Sequence, residues 1–320
     1  MDRIVLLGSV IVDVVLVVPG LPRRGGDVLA DDGGLATGGG HNVLSAAARQ
    51  GLPGALAGRH GTGPFGDLAR RDLAAAGVEL LLPRTPDGDT GFCVGFVEPD
   101  GERTYATHPG VEGRLTAAEL ATVAVRPADA VYLSGYELAY PHGDVVASWF
   151  ADLDDAVTTL FDPGPLAGEL PAEPLRRVLA RADWVSANLP EAQALSGAAA
   201  ADDAATGLAA RTGRAGVVVR DGGAGCVVAA GDRTTRVPVP GGPVTPVDTS
   251  GAGDTHLGAF AAALARGLPP AEACRWANAA AARCVRARGP ATAPDLATTR
   301  ADLAASVARP DDGVAVRQRR

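Results

Sequence analysis

Asp248-Thr249-Ser250-Gly251-Ala252-Gly253-Asp254-Thr255 organises the reading of this 320-residue chain. It follows an extended, proline-rich segment, Pro238 to Val247, and runs into an amphipathic helix pattern, Gly253 to Arg266. Successive small residues let backbone N–H groups converge on one point, where the helix N-terminus adds positive potential. Such a hole suits the charge on a phosphoryl group in transfer. Asp254, in the first turn, can accept the proton of an attacking hydroxyl while the backbone holds the phosphate. The same string also reads as two helix-capping aspartates around a glycine turn.

Outward from this motif the chain alternates short apolar runs with helical patterns. Arg3 to Val18 reads as a buried first strand that continues into a second sheet. Glycine-rich sequence (Gly33 to Gly40) precedes a helix from near Asn42, and a second helix runs roughly from Gly66 to Ala76. Val131 to Leu133, Val157 to Phe161, Trp184 to Ser186 and Val217 to Val219 are strand-like, separated by helical stretches. That alternation predicts a parallel sheet covered by helices on both faces. Gly91 to Val97 and Arg103 to Thr107, around Pro99-Asp100-Gly101, predict a hairpin of a different kind, part of a small lid.

Composition removes several function classes. The chain has no lysine, so all 29 basic residues are arginine. A Walker A loop needs its lysine and a Schiff-base enzyme its amine, so both are excluded in their usual form. Net charge of −8 argues against a nucleic-acid partner. The four cysteines have no C-x-x-C spacing and read as buried small hydrophobes or reduced thiols. No basic leader with a cleavage site and no long apolar run is present, which predicts a cytoplasmic protein with no membrane contact.

Asp248 to Asp254 resembles the D-T-x-G-A-G-D signature of the ribokinase-like, or phosphofructokinase-B (PfkB), family of carbohydrate kinases. Gly38-Gly39-Gly40-His41-Asn42 resembles that family's sugar-binding Gly-Gly…Asn segment. Asn188-Leu189-Pro190-Glu191 resembles its N-x-x-E motif, and Arg220-Asp221-Gly222-Gly223-Ala224-Gly225 its nucleotide-side T-x-G-x-x-G loop. The likeness runs from Ile4 to about Leu303 and is nearest to bacterial sugar kinases of unassigned substrate. It implies an α/β fold, a three-layer α/β/α sandwich with a mostly parallel central sheet and a small β-sheet lid. The core would be 1–12, 37–87 and 111–308, the lid 13–36 and 88–110, and 309–320 a flexible tail.

The resemblance also implies ATP-dependent phosphorylation of a sugar hydroxyl, a primary one, with Mg2+ and, as in several members, K+. Asp254 would be the general base and Gly251, Ala252 and Gly253 the anion hole. Asp13, Gly38, Gly39 and Asn42 would contact the sugar. Glu137 falls where some members place a sugar-contacting acid, and it also reads as a solvated loop residue. Asn188 and Glu191 would order magnesium water and phosphate oxygens, while Gly222, Gly225 and Asn278 would lie along the nucleotide. Asp248 and Ser250 match a monovalent-cation site. Ile11 and Gly39 stand where ribokinases carry Asn and Lys, which puts ribose in question. Arg220 replaces a Thr and either reaches a phosphate or pairs with Asp221 or another acid on the surface. Phe92, Arg103 and Tyr105 of the lid would set specificity, and lid edges could pair two copies into a homodimer.

Three other functions stay open. A nucleoside kinase of the same fold would need room for a base. An NAD-dependent dehydrogenase would use Gly61-Thr62-Gly63-Pro64-Phe65-Gly66, although Pro64-Phe65 would crowd a pyrophosphate. A non-catalytic sugar-binding protein would have no use for Asp254. His41 and His256 flank matched motifs, either lining the site or filling space. Asp162-Pro163-Gly164-Pro165 ends a strand, as a turn or at the ligand edge of the sheet.

Overall fold

The computed structural model describes residues 1–212, 214 and 216–307; the tail expected at 309–320 lies outside the described residues. The first half of the chain forms β1 (Arg3–Leu7), β2 (Val10–Val17), β3 (Asp32–Gly39), α1 (Gly40–Arg49), β4 (Gly54–Ala57), α2 (Pro64–Ala75), β5 (Glu79–Leu80), β6 (Phe92–Val97), β7 (Arg103–His108), α3 (Ala117–Leu120), β8 (Asp129–Ser134), α4 (Tyr136–Ala139) and α5 (Gly143–Ala151). The second half forms β9 (Thr158–Asp162), α6 (Ala172–Arg181), β10 (Trp184–Asn188), α7 (Leu189–Ser196), α8 (Ala201–Thr212), β11 (Gly216–Arg220), β12 (Cys226–Ala230), β13 (Arg233–Val237), α9 (Ala252–Ala265), α10 (Pro270–Cys284) and α11 (Leu296–Val307).

Nine strands make the large sheet, in the order β13-β12-β11-β10-β9-β8-β1-β4-β5. Pairings from β11 across to β5 are parallel, and β12 and β13 add an antiparallel edge. All five residues of β1 are buried, as a central strand between two helical layers requires. Its alternating side chains go to different layers. Val5 and Leu7 belong to the core layer that holds Phe150 of α5, Val178 of α6 and Leu208 of α8. Ile4 and Leu6 belong to the opposite one, with Leu44 of α1, Phe260 of α9 and Ala277 of α10. The result is the α/β/α sandwich expected from the sequence.

A second sheet has the order β3-β2-β6-β7 and stands over the strand ends as a lid. β2 pairs antiparallel with β3 and parallel with β6, and β6 closes the hairpin with β7. The glycine-rich run falls partly in the expected lid segment 13–36 without a strand pattern of its own, and Asp32–Gly39 pairs residue for residue with Val10–Val17. Side-chain pattern is mute in such a strand, and its β2 partner supplies the order. β4 was also unforeseen, because Gly-Ala-Leu-Ala lacks the β-branched residues that mark strands. Helix α3 is a single turn, fixed by a Thr116–Glu119 capping box.

Candidate active site

Two cavities meet at the N-terminus of α9. One, of about 300 Å³, lies under the lid and is lined by Gly251 and Asp254. The other, of about 360 Å³, lies beside α9 and α10 and is lined by Ala252 and Gly253. Four consecutive residues thus form the partition between them. First-turn amides of a helix have no intrahelical acceptor; in this 14-residue helix the Ala252 amide donates back to Thr249 O at 3.3 Å, and those of Gly253 and Asp254 are available to an anion at the junction. Gly251 makes the turn at φ 67°, and a Cβ there would overlap the Pro290 carbonyl oxygen.

The lid cavity takes its acids from both sides. Asp13, on β2, shares its face of the lid with Ile11 and Val15 and faces Asp254 on the core. Burial pushes the Asp13 carboxyl up to about 6, and the Asp254 charge adds to that. Asp254 is also pushed up to about 6, chiefly by burial and further by Asp162. The Asn42 amide donates to Asp254 Oδ2 at 3.1 Å and, with the charge of Arg220, works the other way. Asn42 comes from α1, and both Asn42 and Gly39 line the cavity. Gly38 lies directly behind Asp13: a Cβ at that position would collide with its carboxylate.

In the helical cavity Asn188, Arg220, Gly222, Gly225 and Asn278 converge. Asn188 N-caps α7, taking the Glu191 amide at 2.8 Å. The Glu191 carboxylate in return accepts from Asn188 N at 2.7 Å and Nδ2 at 2.8 Å. Burial, then the Asp162 charge, lifts Glu191 to about 7 against the pull of Arg220. Arg220 corrects an expectation: it is not on the surface and does not pair with Asp221, which faces Arg236. Its guanidinium donates to Asp162 at 2.9 Å and Ser186 at 3.0 Å, lies 3.4 Å from Glu191, and abuts Gly253. Asn278 donates to the Val237 and Pro238 carbonyls at 2.9 and 3.3 Å, tying α10 to the segment that leads into the motif.

Asp248 is held from three directions. It accepts from Ser250 N at 2.8 Å and Gly289 N at 2.9 Å, and pairs with Arg103 of the lid. Burial works to raise its carboxyl, but those amides and the guanidinium outweigh it and hold it below the usual range. Among the described residues no three His, Cys, Asp or Glu side chains cluster as a metal cage, and no helix is long and apolar enough to cross a membrane. Mg2+ needs no such cage when phosphates supply its ligands, and the Asp162–Glu191 acids beside the helical cavity fit an ion held that way.

Glu137 is neither a solvated acid nor a wall of the lid cavity. It is buried, accepting from Ser9 N at 2.9 Å and Ser9 Oγ at 2.5 Å, with His142 Nε2 at 3.0 Å. It sits behind Ser9, which does line the cavity. The Gly61–Gly66 turn has no room for a dinucleotide. Asp89 already takes the amides of Gly63, Phe65 and Gly66, and a Cβ at Gly61 or Gly63 would meet Asp89 backbone or side chain. His256 lines the helical cavity, whereas His41 faces a groove outside both. Asp162 belongs to the site through Arg220 while also making its turn, Gly164 N at 2.9 Å. Tyr132, Ser134, Tyr136 and Tyr140 went unnoticed in the sequence. Their one signal is position, at and just beyond the carboxyl end of β8, where open α/β sheets bind ligands.

An acid facing an anion hole, beneath a lid and beside a second cavity, is the layout of a sugar kinase. A family model described as pfkB family carbohydrate kinase matches residues 1–296, and the chain belongs to that family. It is a phosphotransferase with an alcohol acceptor. An uncharacterized sugar kinase, YegV, of Escherichia coli K12 is 34% identical over 306 residues, 94% of this chain and 93% of that protein. An ATP-dependent ribose-1-phosphate kinase of Halopiger xanaduensis is 33% identical over 198 residues, 61% of this chain and 64% of that one. A ribokinase of Arabidopsis thaliana, solved with ribose and ATP, superposes with a TM-score of 0.73 at 22% identity, covering 94% and 98% of the two chains.

Proposed function

We propose that this ATP-dependent sugar kinase transfers the γ-phosphoryl group in line to a hydroxyl, a primary one, of a small acceptor held in the lid cavity. The observation that carries the reading is the shared partition. Asp254 faces the lid cavity while Ala252 and Gly253, one turn of the same helix, face the other. Asp254 takes the hydroxyl proton, and the helix N-terminus receives the phosphoryl charge as it develops. Asn42 orients Asp254. Arg220, fixed by Asp162 and Ser186, adds positive potential beside Gly253.

The helical cavity would hold ATP between the Gly222–Gly225 loop and α10. Bound Mg2+ would shield the phosphate charge, and Asn188, Glu191 and Asp162 are the residues that would hold it there. The lid would close over the acceptor and keep water from the phosphoryl group. Pairing of two copies through the β3 or β7 edges rests on those edges being the ends of the lid sheet.

The test is ADP formation with Mg2+ across pentoses, ketohexoses and nucleosides, with Asp254→Asn as control. Turnover that falls by at least about a thousandfold in the variant, with ATP still bound, fits general-base catalysis plus proximity. Undiminished turnover in Asp254→Asn sinks the assignment.

A further inference from the structure

All four tyrosines of this aromatic-poor chain, Tyr105, Tyr132, Tyr136 and Tyr140, line the lid cavity. Two of them play different parts from the other two. Tyr132 is buried in the wall, and Tyr140 is half-buried beside Ser9. Tyr105 and Tyr136 are 55% and 37% exposed, the only aromatic rings among the large exposed apolar side chains of the described residues. They stand on opposite sides of the mouth, Tyr105 on lid strand β7 and Tyr136 at the start of α4 on the core.

Each ring is backed by a glycine. Tyr105 pairs across the strands with Gly95, where a Cβ would come within 2.8 Å of the ring. Tyr136 lies over Gly164, with its ring 3.8 Å from a Cβ placed there. A ring laid on a glycine is held flat on one side and open on the other. Exposing two such rings at one mouth costs hydrophobic free energy unless something covers them.

The same cavity has no cationic side chain in its lining. Its lining among the described residues includes neither arginine nor histidine, and its charged groups are Asp13 and Asp254. The nearest arginine of the lid, Arg103, is committed to Asp248. A phosphate or carboxylate on the acceptor would therefore meet the Asp13 and Asp254 carboxylates with no cationic side chain in the lining to offset them, a like-charge juxtaposition that disfavours binding.

We infer that the acceptor is an uncharged sugar bearing a planar or apolar substituent, which lies between Tyr105 and Tyr136. Nucleosides and aryl glycosides share this chemistry; bare sugars lack the substituent, and sugar phosphates and sugar acids carry the wrong charge. The inference rests on the kinase reading above and narrows it. It also sets this chain apart from its ribose-1-phosphate kinase relative.

The experiment compares ribose, a set of nucleosides, phenyl riboside, ribose 1-phosphate and nucleoside monophosphates as acceptors with the intact enzyme. Aromatic stacking predicts kcat/KM at least about tenfold higher for a substituted riboside than for ribose. Charge predicts at least about a hundredfold loss for each phosphorylated counterpart. Nucleosides outrunning phenyl riboside mean that polar groups read the base; parity means that a flat apolar group suffices, and either result supports the inference. Tyr105→Ala should bring the substituted-to-bare ratio towards one, while Tyr105→Phe keeps it. A preference for ribose or for any phosphorylated acceptor overturns the inference, as does a ratio unmoved in Tyr105→Ala. ADP formation with any acceptor, lost in Asp254→Asn, upholds the kinase reading whichever acceptor wins. Calorimetric titration of the same compounds needs no turnover: ribose 1-phosphate binding more tightly than phenyl riboside also overturns the inference.

Discussion

Arg103, on the outermost strand of the lid, is ion-paired with Asp248, the first residue of the loop that builds the anion hole. No other charged pair among the described residues joins the lid hairpin to that loop. Asp248 in turn accepts from Ser250 N, two residues before the helix begins. The contact links the position of the lid to the shape of the phosphoryl site. Arg103→Ala should therefore lower kcat/KM by roughly tenfold, since small misplacements of reacting groups cost that much or more. Because a looser lid holds the acceptor less well, its KM should rise. Arg103→Lys, which keeps the charge but not the planar fork, should recover part of the loss. Steady-state kinetics on the three proteins decide it, and an unchanged Arg103→Ala would sever lid from loop.

The same pair bears on monovalent cations. Asp248 matched a potassium site in the sequence, but its carboxylate already has a guanidinium and two amides as partners. The positive charge is built in. Replacing K+ by tetramethylammonium at constant ionic strength should change the wild-type rate by less than about twofold, the scale of ordinary screening effects. Arg103→Ala, with that charge removed, should respond to K+ where the parent does not. Strong activation of the parent would mean that the ion binds despite Arg103.

How far the sequence carried depended on whether a residue's role was local. The anion hole was legible because its features, small residues then a helix start, are contiguous from Gly251 to Asp254. So was the Asn188–Glu191 pair, which the structure shows as a capping box within one turn. The sandwich followed from apolar runs such as Arg3–Leu7 alternating with helices. What escaped depends on pairing across the chain. β3 has almost no side-chain signal and is ordered by β2. Glu137 is withdrawn from the cavity by Ser9 and His142, 128 and five residues away. Arg220 faces Asp162 instead of its neighbour Asp221 because β9 and β11 flank β10 and end side by side. Nothing near Tyr105 in the sequence announces that Tyr136 will line the same cavity.

Arg220 holds two acids together. Burial and the charge of Asp162 raise the affinity of Glu191 for a proton, and the guanidinium between the two acids offsets it. In Arg220→Ala both carboxylates lose their partner inside the protein. Breaking a buried pair from one side costs about 3–5 kcal/mol. A drop in thermal stability of several degrees is expected. The loss should be smaller at pH 5 than at pH 8, because a Glu191 lifted to about 7 is largely neutral at the lower pH. The KM for ATP should rise as well, through loss of positive potential next to Gly253. Thermal melts at the two pH values, with ATP titrations, test both. Equal destabilisation at both pH values would show that Arg220 acts through packing alone.

The acid side of the pH–rate profile should report Asp254. A general base works only when ionised, so kcat/KM should fall as pH drops through about 6, where burial has placed this carboxyl. Asn42 donates to the charged form, so removing it favours the proton. In Asn42→Ala the limb should move to higher pH, by roughly half a unit to one unit for a single lost hydrogen bond. The variant should thus lose more rate at pH 6.5 than at pH 8. Asp13 is also lifted to about 6 and titrates in the same window. Asp13→Asn separates the two: the limb survives there if Asp254 is the base, at whatever reduced rate the lost acceptor contact leaves. A limb that vanishes with Asp13 and stays put in Asn42→Ala would transfer the role across the cavity.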